Sequence, residues 1–158
     1  MPVISPEIRE RILAVLRNYP NKQAATLPAL HLVHDEYREV SPEAIVEIAA
    51  ILELHPAEVH DAMSFYGFFR ESGNPLGKDR VWVCRSISCA LRGGEELLAG
   101  LSQRWGVKPG HTSSDGRLSL EYAECLGACE GAPCILVNDE CHMNMTEDTA
   151  AAAVEQSH

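Results

Sequence analysis

Six cysteines stand in this chain, and four of them form two close pairs far apart in sequence, Cys84-x4-Cys89 and Cys125-x3-Cys129. Soft thiolates gathered in fours bind iron–sulfur clusters or zinc. Structural zinc sites commonly use two-residue knuckles, whereas the gaps here are four and three, and a four-residue gap also opens the plant-type ferredoxin pattern. Spacing alone leaves three readings open: an iron–sulfur cluster, a zinc-stapled interaction module without redox role, and cysteines with no shared task. Cys129-x4-Cys134 repeats the four-residue gap, so spacing does not exclude Cys134 as a ligand. No Cys-x-x-Cys occurs, which argues against a thiol–disulfide oxidoreductase.

Composition narrows the setting. The 158 residues suit one domain or two small ones, and apolar and charged fractions of 46% and 23% are ordinary globular values. No window holds the roughly 18 uninterrupted apolar residues a spanning helix needs, so direct membrane insertion is not expected. The start, Met1-Pro2-Val3-Ile4-Ser5-Pro6-Glu7, lacks a basic stretch followed by an apolar one, so a cytoplasmic, reducing location is expected. There, metal ligation is a better default than disulfides. A net charge of −10, with Asp and Glu outnumbering Lys and Arg 23 to 13, argues against nucleic acid and anionic membrane as partners.

The elements that must position these thiols fall into two patterns. Residues 1–70 read as a small helical bundle. Ser5-Pro6-Glu7 and Ser41-Pro42-Glu43 are helix starts, with a hydroxyl N-cap, proline at the first helical position and an acid in the first turn. Ile8, Ile12, Leu13 and Leu16, then Leu27, Leu30 and Val33 between Ala24 and Tyr37, then Ile45, Ile48, Ala49 and Leu52 recur at helical spacing. His55-Pro56 opens a fourth helix through Val59 and Met63. Turn formers gather between Gly67 and Gly77, and residues 78–158 then change character. Arg80 to Cys84 is a β-type run, Cys89 to Trp105 a helix with Leu91, Leu98, Leu101 and Trp105 on one side, and Leu118 to Ala123 an alternating strand. Ile135-Leu136-Val137 is a third strand, Asn138-Asp139 turns it toward Cys141 to Met145, and Thr146 starts a last helix. This order describes an α+β or thioredoxin-like layer in which a parallel unit meets a hairpin.

In that arrangement all four paired cysteines lie at element ends, at one end of the sheet. Arg85-Ser86-Ile87-Ser88 offers backbone N–H groups to hydrogen-bond sulfur, and Gly127 is suited to a positive φ in a tight loop. Gly93-Gly94 allows close packing near the site. The chain carries no G-x-G-x-x-G after a strand and no P-loop, so it is not expected to hold a nucleotide.

The flanking residues carry a resemblance. The segments Val83-Cys84-Arg85-Ser86-Ile87-Ser88-Cys89-Ala90-Leu91-Arg92-Gly93-Gly94 and Glu124-Cys125-Leu126-Gly127-Ala128-Cys129-Glu130-Gly131-Ala132-Pro133 resemble the 24-kDa (NuoE-type) subunit family of NADH:quinone oxidoreductase, respiratory complex I. His55-Pro56-Ala57-Glu58-Val59, Ser64 to Phe69, Gly106 to Gly110 and Val137-Asn138-Asp139 are similar to family segments too, so the likeness spans nearly the whole chain. It implies a helical bundle followed by a thioredoxin-like [2Fe-2S] ferredoxin domain, with Cys84, Cys89, Cys125 and Cys129 as the cluster ligands, each needed for the cluster. It further implies an electron-transfer role, because a nicotinamide gives two electrons at once and a flavin must divide them. The NADH and FMN sites would lie on a NuoF-type (51-kDa) flavoprotein partner, beside a NuoG-type iron–sulfur subunit, in a complex peripheral to the inner face of the membrane. Diaphorase pairs of NAD-linked hydrogenases or formate dehydrogenases are the alternative parents. The isolated chain is not expected to be catalytic, and acidic neighbours such as Glu124 and Glu130 imply a low potential.

There are two departures from the family pattern: Cys134 stands where relatives usually carry an apolar residue, and Cys141-His142 where they usually carry aromatics. Cys134 and Cys141 read as buried, inert thiols on strands. His31 and His34, and likewise His55 and His60, are expected to face solvent, since nothing is spaced to complete a metal shell with them. Phe65, Tyr66, Phe68 and Phe69 are expected to pack between the two parts or to face a partner.

Overall fold

Proline-led starts punctuate the first part of the chain because proline has no N–H to lose at the first helical position and its φ is already helical. Ser5 caps α1 (Pro6–Leu16), its Oγ accepting from the Ile8 N–H at 3.2 Å. Ser41 caps α3 (Pro42–Leu52) in the same way, through the Ala44 N–H at 3.1 Å, after α2 (Thr26–Tyr37). His55 caps α4 (Pro56–Phe65), with the Glu58 carboxylate returning to the His55 N–H at 2.9 Å. The computed structural model describes residues 3–157; Met1 and Pro2, in the segment read for an export signal, and His158 lie outside them. Two compact units divide between Pro75 and Leu76.

The first unit buries Ile8 and Ile12 of α1, Leu30 and Val33 of α2, Ile48 and Leu52 of α3 and Val59 and Met63 of α4 in one apolar core. His34 does not face solvent as expected. It is buried, with Phe69 edge-on to its ring at 5.6 Å between centroids, while His31 remains exposed and stacks on Phe68 at 5.1 Å. Of the aromatic run, Phe69 joins this core and Phe65 stays 80% exposed.

The second unit holds β1 (Asp79–Cys84), α5 (Ile87–Ala90), α6 (Gly94–Trp105), β2 (His111–Thr112), β3 (Leu118–Ala123), β4 (Ile135–Val137), β5 (Glu140–His142) and α7 (Glu147–Gln156). The sheet order is β2-β3-β1-β4-β5, so β1 sits at the centre. It runs parallel to β3, in register Cys84 to Ala123, and antiparallel to β4, in register Val83 to Ile135. A parallel neighbour requires a crossover, and α6 supplies it; β4 and β5 need only the two-residue turn at Asn138 and Asp139. Val81, Val83, Leu120, Ile135 and Val137 face α6 and α7, meeting Leu97, Leu101 and Ala150 in a second core. Arg80 and Trp82 of β1 stand against Glu121 of β3, whose carboxylate takes the Arg80 guanidinium at 2.7 and 2.9 Å while that guanidinium lies 4.3 Å over the Trp82 ring.

Three expectations differ from what is observed. The helix expected from Cys89 to Trp105 is two: α5 ends after one turn, Gly93 turns left-handed at φ 86°, and α6 starts afresh. Leu91, expected on the buried side, therefore points outward and is 83% exposed. Cys141 lies exposed rather than buried, because β5 is the edge strand and pairs on one side only, with Leu136 of β4 opposite Cys141. β2, two residues long, carries no periodicity to read and exists through its pairing with β3. No helix among the described residues is long and apolar enough to cross a membrane.

Leu101 is fully buried between α6 and the sheet. Leu101→Ala removes that contact without room for the site to collapse, and urea unfolding is expected to show a loss of about 2–5 kcal/mol.

Candidate metal centre

Because β1 is central, its last residue is held from both sides. The Cys84 N–H donates to the Cys134 carbonyl at 3.1 Å, continuing the ladder with β4, and the Arg85 N–H donates to the Ala123 carbonyl at 2.9 Å, continuing the ladder with β3. After Ser86 the chain turns into α5 and returns Cys89 beneath the strand end. Cys84, Cys89 and Cys134 are 2%, 1% and 1% exposed, and their three Sγ atoms lie within 4.8 Å of one another. Cys89 Sγ and Cys134 Sγ are 3.6 Å apart. Among the described residues this is the one group of three or more His, Cys, Asp or Glu side chains gathered closely enough to share a metal ion.

The four thiols assigned by resemblance are thus placed differently. Cys84 and Cys89 meet in the buried group, whereas Cys125 and Cys129, on the loop between β3 and β4, are exposed. That loop is tied to the group through its other residues: Leu126 and Ala128 pack against the buried thiols, and Gly127 allows the tight turn between them at φ 78°. Cys129 opens a short 3-10 turn, Cys129–Gly131, that leads through Ala132 and Pro133 to Cys134. Cys134 is buried as expected but is not isolated from the site. The repeated four-residue gap is the signal in the sequence that points to it; the register of β4 against β1 is what brings it there.

The electrostatics set Cys84 apart from the other two thiols. Burial pushes the Cys84 thiol up, but hydrogen bonds to its sulfur, led by the backbone N–H groups of Ser86 and Leu126, outweigh this and hold it below the ordinary thiol value. Cys89 and Cys134 go the other way, raised first of all by burial and then, for Cys89, by Cys84 and, for Cys134, by Cys89 and Cys84, because buried sulfurs resist ionising together. A cation supplied among them removes that conflict, as metal-bound thiols are deprotonated. Buried thiols with N–H groups aimed at sulfur are the donor chemistry an iron–sulfur cluster takes. At the rim, the Arg85 guanidinium lies 3.8 Å over the Tyr122 ring and pairs with Glu124. That hydrogen bond holds the Glu124 carboxyl below its ordinary value. Glu124 is therefore compensated by Arg85.

Backbone closeness completes the floor of the site. A Cβ on Gly94 would lie 2.9 Å from the carbonyl oxygens of both Cys84 and Cys89, so only glycine lets α6 begin directly under the two thiol-bearing turns.

A family model described as thioredoxin-like [2Fe-2S] ferredoxin matches residues 12–158. The chain belongs to this family. It is similar to an NADH-quinone oxidoreductase subunit of the E type, the second of that type in Rhizobium meliloti (strain 1021), 34% identical over 148 residues that cover 94% of this chain and 87% of that one. It is also similar to NADH-quinone oxidoreductase subunit 2 of Thermus thermophilus, 41% identical over 124 residues that cover 77% and 67%. Among solved structures, an NAD+-reducing [NiFe]-hydrogenase in the H2-reduced state shares the fold, with a TM-score of 0.69 at 24% identity. That likeness covers 83% of this chain and 22% of the hydrogenase chain. Family membership and the group of buried thiols together support an iron–sulfur cluster as the group this chain holds.

Gly94→Ala forces a methyl into two carbonyl oxygens. It is expected to lower stability by about 1–3 kcal/mol in urea unfolding and to reduce the iron retained on purification.

Proposed function

We propose that this chain is the electron-carrying [2Fe-2S] subunit of an NADH:quinone oxidoreductase, with Cys84, Cys89, Cys125 and Cys129 each giving one thiolate to a single cluster. The observation that carries this reading is the meeting of Cys84 and Cys89, two thiols from different elements, in a buried pair at the end of a central strand. The oxidoreductase-subunit relatives and the family match support the parent complex. When bound, the cluster supplies reversible one-electron transfer.

The residues of this chain hold and tune that group. The β1–β4 and β1–β3 ladders fix Cys84, the single turn of α5 fixes Cys89, and the Ser86 and Leu126 N–H groups stabilise negative charge on sulfur. The loop from Glu124 to Cys129, whose Leu126 and Ala128 pack against the buried thiols, would supply the second pair of thiolates. No side chain is needed as acid, base or nucleophile.

The electrons come from a NuoF-type flavoprotein that binds NADH and FMN, with a NuoG-type iron–sulfur subunit as a further neighbour, on the cytoplasmic face of the membrane. Docking is supported by Ile87 and Leu91, 77% and 83% exposed, which flank the buried Cys89 on α5 and just after it. An apolar rim over a buried redox group lets a partner approach it while excluding water. NAD-linked hydrogenases and formate dehydrogenases would use the same pairing of chains, and the subunits that co-purify with this one distinguish the parents.

Anaerobic purification is expected to give a reddish-brown protein with about two irons and two acid-labile sulfides per chain and an EPR signal on reduction. Cys84→Ala and Cys89→Ala, which leave no donor atom, abolish both; a colourless protein holding zinc instead of iron overturns the reading. Ile87→Glu combined with Leu91→Glu is expected to weaken binding to the flavoprotein about tenfold or more, measured by titration, with iron content unchanged.

A further inference from the structure

The three buried sulfurs are spaced for a single ion. The antiparallel register that pairs Val83 with Ile135 puts Cys84 opposite Cys134, and the Cys84 N–H donates to the Cys134 carbonyl at 3.1 Å. Directly paired residues of an antiparallel ladder project to the same face, so both thiols stand on the side to which α5 returns Cys89. The three Sγ atoms all lie within 4.8 Å of one another, and those of Cys89 and Cys134 are 3.6 Å apart. Thiolates on one tetrahedral zinc ion with bonds of ~2.3 Å stand ~3.8 Å from each other, so these sulfurs need to shift little to close on one ion. Three soft donors with no oxygen or nitrogen among them suit zinc and not magnesium, calcium or manganese. Cys125 and Cys129 are exposed and lie outside the group.

We propose that the chain without its cluster binds one Zn2+ ion through Cys84, Cys89 and Cys134, and that zinc held there shuts out the cluster by occupying Cys84 and Cys89. Binding is a ligand exchange with no change in oxidation state: three zinc–sulfur bonds form, three thiol protons pass to the buffer, and the ion gives up its waters except one in the fourth position. The site differs from the cluster's ligand set by including Cys134, which the sheet delivers, and by doing without the loop thiols. An apolar residue at position 134 would leave two sulfurs, so the sensitivity to zinc resides in that one side chain. The zinc site stands on the geometry of the thiols; its effect on cluster assembly rests on the two-iron reading above.

Full-length chains freed of cluster by a chelator and kept reduced test it: wild type, Cys134→Val and the Cys125→Ala/Cys129→Ala double variant, each checked for folding by circular dichroism with Zn2+ present. Zn2+ is titrated against a chromophoric competitor, and Co2+ in its place reports thiolate ligation through sulfur-to-metal charge-transfer absorption. Wild type is expected to bind one ion, the double variant to bind it within about tenfold of wild type, and Cys134→Val at least about a hundredfold more weakly, with about a third of the charge-transfer intensity lost. No loss in Cys134→Val, or an equal loss in the double variant, overturns the zinc site, as does a wild type that stays unfolded with Zn2+. Should Cys134→Val fail to fold, the double variant decides, because it keeps all three buried thiols: failure to bind one Zn2+ overturns the site. Iron and sulfide are then offered to each chain with and without one equivalent of Zn2+, each chain compared with its own zinc-free yield. Zinc is expected to cut the cluster yield of wild type at least about tenfold and that of Cys134→Val less than about twofold. An unaffected wild type overturns the exclusion of the cluster, whereas a wild type that builds no cluster even without zinc overturns the two-iron reading and leaves the zinc site to the titration.

Discussion

A strand with neighbours on both sides cannot move its end. β1 is that strand: Cys84, its last residue, is bonded to Cys134 on one side, and the next residue, Arg85, to Ala123 on the other. Each interior ladder bond contributes only about 1 kcal/mol net, but leaving such groups unpaired inside the protein costs more, so the geometry is held by what breaking it would expose. Around this fixed point the other parts of the site are arranged. α5 has too few residues to be stable as an isolated helix and stays in place because Cys89 is buried against the strand end, with Gly94 permitting α6 to start at contact distance below.

The loop between β3 and β4 is held more softly. Cys125 and Cys129 are carried on a loop whose packing comes from Leu126 and Ala128, two modest apolar side chains, and whose outer edge is held by the Arg85–Glu124 pair stacked on Tyr122. Exposed ion pairs of this kind are worth little in water and weaken with salt. A rigid group of buried thiols set by the sheet thus stands beside an adaptable loop at the surface.

Much of this was legible in the residues. Ser5-Pro6-Glu7 and Ser41-Pro42-Glu43 name their helix starts through local chemistry, and Leu118 to Ala123 names its strand through alternation, because capping and pleat are short-range effects. What escaped depended on partners distant in the chain or on a backbone break that the side-chain pattern runs across. The burial of His34 is decided by Phe69, from beyond α4. The exposure of Leu91 is decided by a left-handed Gly93, where the helical pattern runs on but the backbone does not. The placement of Cys134 beside Cys84 is decided by the register of β4 on β1, which no spacing rule between cysteines encodes.

The central position of β1 also sets an order of events during synthesis. The strand is made early in its unit, but both of its neighbours, β3 and β4, come later in the chain, so it is not paired on both sides until Val137 has left the ribosome. Pairings between such distant segments form slowly and late. The pocket of thiols at the end of β1 cannot exist on a shorter nascent chain, because Cys134 enters it through the pairing of β4 with β1.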